Sequence, residues 1–228
     1  MKIALILSGG TGSRVGGDIP KQYIIVNEKP VISYCIKTLS EVVDAMIIVA
    51  AKEYHEFIDK EISFCKDKFK GYSEPGDTRQ LSIYNGLLDI QKFAKDDDVV
   101  LIHDAARPNL SVHMIKDCFE KIGGHDGVLP VLPMKDTVYY SDDGNSISHL
   151  LDRSKIYAGQ APEAFVLGKY IKANEALLPT DIYKINGSTE PAILAGMDVV
   201  MIPGDENNYK ITTQNDLMKF KEEISKLR

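Results

Sequence analysis

Short apolar runs alternate with amphipathic helical stretches along most of the chain, and that rhythm restricts the fold more than any other feature. Residues 3–7, 46–50, 99–102, 127–131 and 199–202 form the clearest runs, and 69–72 forms a weaker one. Runs of this length, bounded by glycine or polar turns, read as strands buried in a mostly parallel sheet. Between them lie helical patterns: one opened by Pro30 through Ile32, Cys35, Ile36 and Leu39, one from about residue 53, and one over 80–93. In the last, Leu81, Tyr84, Leu87 and Leu88 are expected on the buried face. Further helices are expected over 112–122, 166–178 and 189–195, with a closing one from about residue 214. Strand–helix alternation with right-handed crossovers makes this a Rossmann-like α/β fold, a mostly parallel sheet flanked by helices.

The rhythm breaks between about 135 and 160, where short alternating strands flank the turn Asp142-Asp143-Gly144-Asn145. This reads as a β-arm inserted into a single domain spanning 1–228. The apolar side of such an arm needs a partner surface, and a second copy of the chain is one candidate.

Composition narrows the partners. The net charge of -6 argues against a nucleic-acid binder, so an anionic ligand must be met by a local cluster of Lys and Arg. Three scattered cysteines fit free thiols in a reducing compartment. The apolar run at 3–7 is too short for a secretion signal, and no stretch approaches the ~20 apolar residues of a membrane span. A soluble cytoplasmic protein is expected.

The loop Ser8-Gly9-Gly10-Thr11-Gly12-Ser13-Arg14 follows the first strand directly. Glycines let a backbone approach a ligand and turn N–H groups onto phosphate oxygens. The dinucleotide spacing G-x-G-x-x-G fails because Val15 occupies the third position. The P-loop spacing fails because Asp18 follows Gly17. What remains is a glycine loop carrying Arg14 and Lys21 at the C-terminal end of a strand, where open α/β sheets bind ligands.

Gly9-Gly10-Thr11-Gly12-Ser13-Arg14 with Pro20-Lys21-Gln22-Tyr23 resembles the signature loop of the nucleotide-diphospho-sugar transferases, or sugar-nucleotide pyrophosphorylases. The nearest branch is that of 2-C-methyl-D-erythritol 4-phosphate and ribitol-5-phosphate cytidylyltransferases. Four further segments follow in family order: Gly76-Asp77-Thr78-Arg79-Gln80-Leu81-Ser82, His103-Asp104-Ala105-Ala106-Arg107-Pro108, Tyr157–Glu163 with Asp152-Arg153 before it, and Asn208-Tyr209-Lys210-Ile211-Thr212.

The resemblance implies transfer of CMP from CTP to a sugar-alcohol phosphate, with release of pyrophosphate. The nucleophile is already an anion, so the chemistry calls for positioning and fixed positive charge. By resemblance, Arg14, Lys21 and Lys210 hold the triphosphate. Ser8, Gly9, Gly10, Thr11, Gly12, Gly76, Asp77, Ser82 and Asp104 hold the rest of CTP, and Asp104 is the candidate ligand of Mg²⁺. Arg79 is balanced between a ligand contact and a structural support. Arg107, Thr137, Arg153 and Ser188 are the acceptor candidates. In the family the arm crosses to the other subunit of a homodimer, so Thr137 and Arg153 would serve the neighbour's site.

The pattern departs from the family at Ala161, usually Thr, and at Glu163, usually Gln. A Thr-Asp pair near the acceptor pocket appears here as Ser188-Thr189. Together with Gly9–Gly12 and Gly159-Gln160, these departures make an alditol phosphate such as ribitol 5-phosphate the first expectation. Such a product would feed synthesis of cell-surface polymers. The methylerythritol phosphate of isoprenoid precursor synthesis is the alternative. A nicotinamide-dependent reductase and a non-catalytic nucleotide binder are the competing classes; the failed dinucleotide spacing and the retained cations argue against them.

Overall fold

A computed structural model describes residues 1–10 and 19–226. The elements run β1 (Lys2–Leu7), the hairpin β2 (Ile25–Val26) and β3 (Lys29–Pro30), α1 (Val31–Ser40), β4 (Ala45–Val49) and α2 (His55–Glu61). Next come β5 (Phe69–Ser73), α3 (Arg79–Gln91), β6 (Val99–Asp104), α4 (Val112–Lys121), β7 (Gly127–Pro133), β8 (Val138–Tyr140) and β9 (His149–Leu151). The chain closes with β10 (Tyr157–Gly159), β11 (Glu163–Val166), α5 (Leu167–Glu175), α6 (Glu190–Leu194), β12 (Val199–Pro203) and α7 (Gln214–Ser225).

β1 lies inside an 8-stranded sheet and pairs in parallel with β4 and β6, while β4 continues in parallel to β5. β12 pairs in parallel with β7. The antiparallel members are β10 and β11, so the sheet is mixed, flanked by helices, and Rossmann-like.

Alternation along the strands assigns each side chain to a layer. Ile3 and Leu5 of β1, with Ala45, Ile47 and Val49 of β4, pack under Ile83, Leu87 and Ile90 of α3 and Tyr170 of α5. Ala4, Ile6, Met46 and Ile48 face the opposite layer, with Ile32, Cys35 and Ile36 of α1 and Ile115 and Cys118 of α4. A smaller cluster of Val26, Val31, Ile211, Leu217 and Phe220 seats α7 against α1 and the β2–β3 hairpin. No helix of the described residues is long and apolar enough to cross a membrane.

The face of α3 is rotated from expectation. Ile83, Gly86, Leu87 and Ile90 are buried, whereas Leu81, Tyr84 and Leu88 are half-buried. The cause is Gly86, which rests on Leu5; a Cβ there would fall 2.4 Å from Leu5 Cδ1. A count of apolar residues misses a stripe in which glycine makes the closest approach.

Periodicity predicted neither the short β2–β3 hairpin nor β11. Its four residues follow Pro162 and wedge antiparallel between β6 and β7, pairing Glu163 with Ile102 and Phe165 with Gly127. Four residues are too few to display an alternation, and the helix of α5 begins at once.

Phe165 lies across Gly127, where a Cβ would stand 2.7 Å from Phe165 Cδ1 and 3.2 Å from Ala164 O. The ring cannot retreat, because it stacks on Tyr170 at 4.1 Å and 6°. Gly127→Ala is therefore expected to destabilise the protein by about 1–3 kcal/mol through overpacking. Urea unfolding checks this, and an unchanged midpoint would contradict the packing described.

Candidate active site

The C-terminal ends of β1 and β6 open onto a cavity of about 480 Å³, within the size range of small-ligand pockets. Its walls are Leu7, Gly9 and Gly10 after β1; Lys21 and Gln22; Gly76–Arg79 and Ser82 at the start of α3; Asp104 and Ala106 after β6; and Lys210.

Asp104 is the electrostatic centre. Its Oδ1 accepts from Arg79 Nη2 at 3.1 Å and Nε at 3.3 Å. Its Oδ2 lies 3.0 Å from Lys210 Nζ and 3.4 Å from Arg107 Nε. Burial alone would raise this carboxyl, but Arg79, Lys210 and Arg107 outweigh burial and hold it far below the usual carboxylate range. Arg79 answers in kind: burial would lower its guanidinium, yet Asp104 and Glu163 raise it.

Each cation is delivered by its own local structure. Arg79 is the first residue of α3, whose N-cap Thr78 accepts from the Leu81 N–H at 3.2 Å. The start of this helix adds a partial positive charge at the same wall. Gly76 must be glycine, since a Cβ would meet Leu81 C at 2.9 Å and Ser82 N at 3.0 Å. The Ser82 hydroxyl accepts from the Gly76 N–H at 3.0 Å and donates to Thr78 O at 2.9 Å, which closes the loop. Lys210 sits between Tyr209, whose hydroxyl donates to Glu223 at 2.8 Å, and Ile211, whose N–H donates to Ala106 O at 2.8 Å. Lys21 opens the short turn Lys21–Tyr23, anchored by Tyr23 stacked on Tyr54 at 4.2 Å.

The cavity thus gathers Lys21, Lys210, Gly9, Gly10, Gly76, Asp77, Ser82 and Asp104 from the sequence-predicted set. Arg14, Thr11 and Gly12 lie outside the described residues. Ser8 is not on the wall: it is buried, and its hydroxyl donates to Tyr23 Oη at 2.8 Å. Arg107 stands behind Asp104 and also donates to Asn208 O at 2.9 Å. Ser188 is buried and donates to Glu163 Oε2 at 2.6 Å. Thr137 and Arg153 are exposed on the arm, away from this chain's cavity, and Arg153 donates to Lys135 O. Sequence reasoning left Arg79 undecided and passed over Gln22, although both line the cavity. The signal for Arg79 was its place one residue after an N-cap.

A divalent cation finds at most two acidic residues on this wall, Asp77 and Asp104, and not a cage. Among the described residues no three His, Cys, Asp or Glu side chains converge to hold a metal. Asp104, expected as the ligand, has both oxygens paired with cations. Mg²⁺ takes one or two carboxylates and completes its shell from substrate phosphates and water. The residues therefore fit a metal carried in on phosphates, and not one bound by Asp104 beforehand.

The family model described as "IspD: 2-C-methyl-D-erythritol 4-phosphate cytidylyltransferase" matches residues 2–224. The chain is 34% identical to the 2-C-methyl-D-erythritol 4-phosphate cytidylyltransferase of Rubrobacter xylanophilus, over 95% of this chain and 91% of the relative. It is 35% identical to the "Bifunctional enzyme IspD/IspF" of Granulibacter bethesdensis, matching over 99% of its own length while spanning only 57% of that protein. It is 28% identical to the ribitol-5-phosphate cytidylyltransferase of Streptococcus agalactiae, covering 97% of this chain and 94% of the relative. Among solved structures, the 2-C-methyl-D-erythritol 4-phosphate cytidylyltransferase of Francisella tularensis superposes with a TM-score of 0.80 at 26% identity, covering 97% of this chain and 98% of that one.

His103, beneath the site, carries a pH signature. It is fully buried; its Nε2 lies 3.1 Å from Arg107 O and so carries the proton, while Nδ1 has no partner among the described residues. Burial pushes the imidazole down to about 4, with Arg107 and Lys210 adding to the effect against Asp104. Between that value and the ordinary 6.5, the unfolded chain takes up a proton that the folded one refuses. Stability contributed by this group is full above pH 6.5 and declines as pH falls toward 4. About 2 kcal/mol should be lost between pH 7 and pH 5. His103→Gln should flatten that slope in urea titrations; an equal slope would show that another group causes it.

Proposed function

The chain belongs to the 2-C-methyl-D-erythritol 4-phosphate cytidylyltransferase family and is a CTP-dependent nucleotidyltransferase; from that premise we propose how its residues perform the transfer and onto which acceptor. The acceptor we propose is 2-C-methyl-D-erythritol 4-phosphate. The family model over 2–224 and relatives at 32–35% identity carry that printed activity or a fusion containing it. The expectation of ribitol 5-phosphate gives way to this alternative, though it keeps one support: the departures at Ala161, Glu163 and Ser188 fall together, with Ser188 bonded to Glu163, two residues after Ala161.

In the reaction an oxygen of the acceptor phosphate attacks the α-phosphorus of CTP. The new P–O bond forms as the bond to the β-phosphate oxygen breaks, and pyrophosphate leaves with that electron pair. No side chain removes a proton. Negative charge grows on the α-phosphate oxygens and the leaving group, so stabilisation falls to fixed cations. Lys21 and Lys210, distant in sequence, line one cavity, and that is the observation that carries this reading. Arg79 adds a third charge, and Arg14 follows by resemblance. When phosphates enter, Lys210 and Arg79 exchange part of their hold on Asp104 for phosphate oxygens. Mg²⁺ bound to the triphosphate would neutralise further charge. Gly9, Gly10, Gly76, Asp77 and Ser82 would form the base and ribose side, where close approach of the backbone would favour a pyrimidine over a purine.

The arm supports a homodimer. Tyr139, Tyr140, Ile147, Leu150 and Tyr157 are all exposed on or beside it. An apolar surface of this kind is a natural interface. Thr137 and Arg153 would then reach the partner's acceptor site, completing one active site from two chains. Free cysteines suit a reducing compartment, and we place the enzyme in the cytoplasm.

Pyrophosphate release with CTP and separate acceptor phosphates tests the activity. Turnover should be fastest with 2-C-methyl-D-erythritol 4-phosphate; faster turnover with ribitol 5-phosphate would reverse the choice of acceptor. Lys210→Ala should lower kcat by about 10²–10³-fold, the usual effect of losing one transition-state donor. Its melting temperature should stay close to wild type, because Arg79 and Arg107 still pair Asp104. Unchanged kcat would remove Lys210 from the mechanism.

The two-chain site has its own test. Lys210→Ala damages a chain's own cavity, whereas Arg153→Ala would damage its neighbour's. Mixing the two inactive variants under exchange conditions should restore activity, since one site of each mixed dimer is intact. No recovery from a mixture shown to contain heterodimers would place Arg153 outside the active site.

A further inference from the structure

The mechanism leaves one polar wall residue, Gln22, with no task. Gln22 is 4% exposed and lines the cavity, but an uncharged amide adds nothing to the grip on a triphosphate. Its partners are the carbonyls of the glycine loop. Gln22 Nε2 donates to Ser8 O at 2.7 Å and to Gly10 O at 2.8 Å. A primary amide has two N–H bonds, and both are spent on carbonyls that flank Gly9.

The consequence is directional. In a trans peptide the carbonyl and the next N–H point opposite ways. Drawing Ser8 O toward Gln22 therefore turns the Gly9 N–H away from it. The loop is held from two more sides. Tyr23 Oη donates to Ser8 O at 3.2 Å and accepts from Ser8 Oγ at 2.8 Å. Pro75 packs so closely on Gly9 that a Cβ would lie 2.8 Å from Pro75 Cβ. Of these three restraints, only Gln22 reaches both carbonyls. It is also bonded directly to Lys21, within one three-residue turn.

We infer that Gln22 is a positioning residue: it sets the backbone of the first glycine loop for the nucleotide and couples that loop to the phosphate grip of Lys21. A shift of Lys21 onto a triphosphate moves the adjacent amide, and the amide moves both carbonyls with it. The inference rests on the CTP-dependent reading of this cavity. It adds that base discrimination and triphosphate binding share one short turn.

The test compares variants in the full-length protein. Gln22→Met keeps the length and removes both donors. It should raise KM for CTP about ten-fold or more, the scale expected when two hydrogen bonds to a loop are lost. KM for the acceptor phosphate and the melting temperature should stay near wild type. The rate with ATP relative to CTP should rise, because a loosened loop no longer excludes the larger base. Gln22→Glu places acceptors against two carbonyls; its KM for CTP should exceed that of Gln22→Met at pH 7.5 and improve, relative to wild type, as acid restores one donor.

A folded Gln22→Met with wild-type KM for CTP and wild-type discrimination overturns the inference. If that variant does not fold, Gln22→Asn, one methylene short of reaching both carbonyls, is read in the same way. Calorimetric titration of CTP separates this result from failure of the enzyme reading. Wild type that binds CTP but transfers nothing would sink the proposed activity, while the Gln22 comparison would still be decided by binding alone.

Discussion

A single carboxylate, that of Asp104, draws together groups from residues 79, 107 and 210. Burying a carboxylate is costly unless its charge is met, and breaking such a cluster from one side leaves uncompensated charge behind. The side chain of Asp104 is 8% exposed and holds three cations at once. It keeps together positive charges that would otherwise repel one another. An entering triphosphate then meets a cluster already assembled, with little left to reorganise, which is the condition under which fixed charges stabilise a transition state best.

Two of the supports that hold the segments beside the cavity are buried glutamines. Gln22 holds the loop after β1. Gln160 donates to Asp205 O at 2.9 Å and to Asn208 O at 3.3 Å, and its Oε1 accepts from the Asp205 N–H at 3.0 Å. The segment it holds carries Lys210. An amide suits both places because it satisfies backbone groups without adding charge to a field that has to stay positive. A carboxylate at either position would offset one of the cations.

Much of this was legible in the sequence, for identifiable reasons. Strands such as β1 and β4 are continuous apolar runs because both faces are covered, and a run of that kind declares itself. Gly76, Asp104 and Lys210 stand in segments whose residue types are unusual for their position. β11 was not legible, since four residues after a proline show no period. The buried face of α3 was misread because its closest contact is made by Gly86, which no apolar count registers. Gln22 and Gln160 were quoted within motifs but given no role, since a neutral amide acts only through partners that folding supplies. Arg14, expected to share the triphosphate, lies outside the described residues.

Ser188 and Glu163, expected on the acceptor side, are bonded to each other and line no part of the described cavity. The hydroxyl proton of Ser188 is committed to Glu163 at 2.6 Å, and the Ser188 carbonyl accepts from Tyr170 at 2.6 Å. With its proton committed, the Ser188 hydroxyl has no donor left for a phosphate oxygen. Burial pushes the Glu163 carboxyl up, while Arg79 and Ser188 oppose the shift. Ala161 contributes no hydroxyl at all. A phosphate placed in this corner would face a carboxylate and no donor from Ser188. On the proposed reading, the acceptor phosphate would be met by Arg107 and by an arginine carried across on a partner's arm in the homodimer, and not by Ser188.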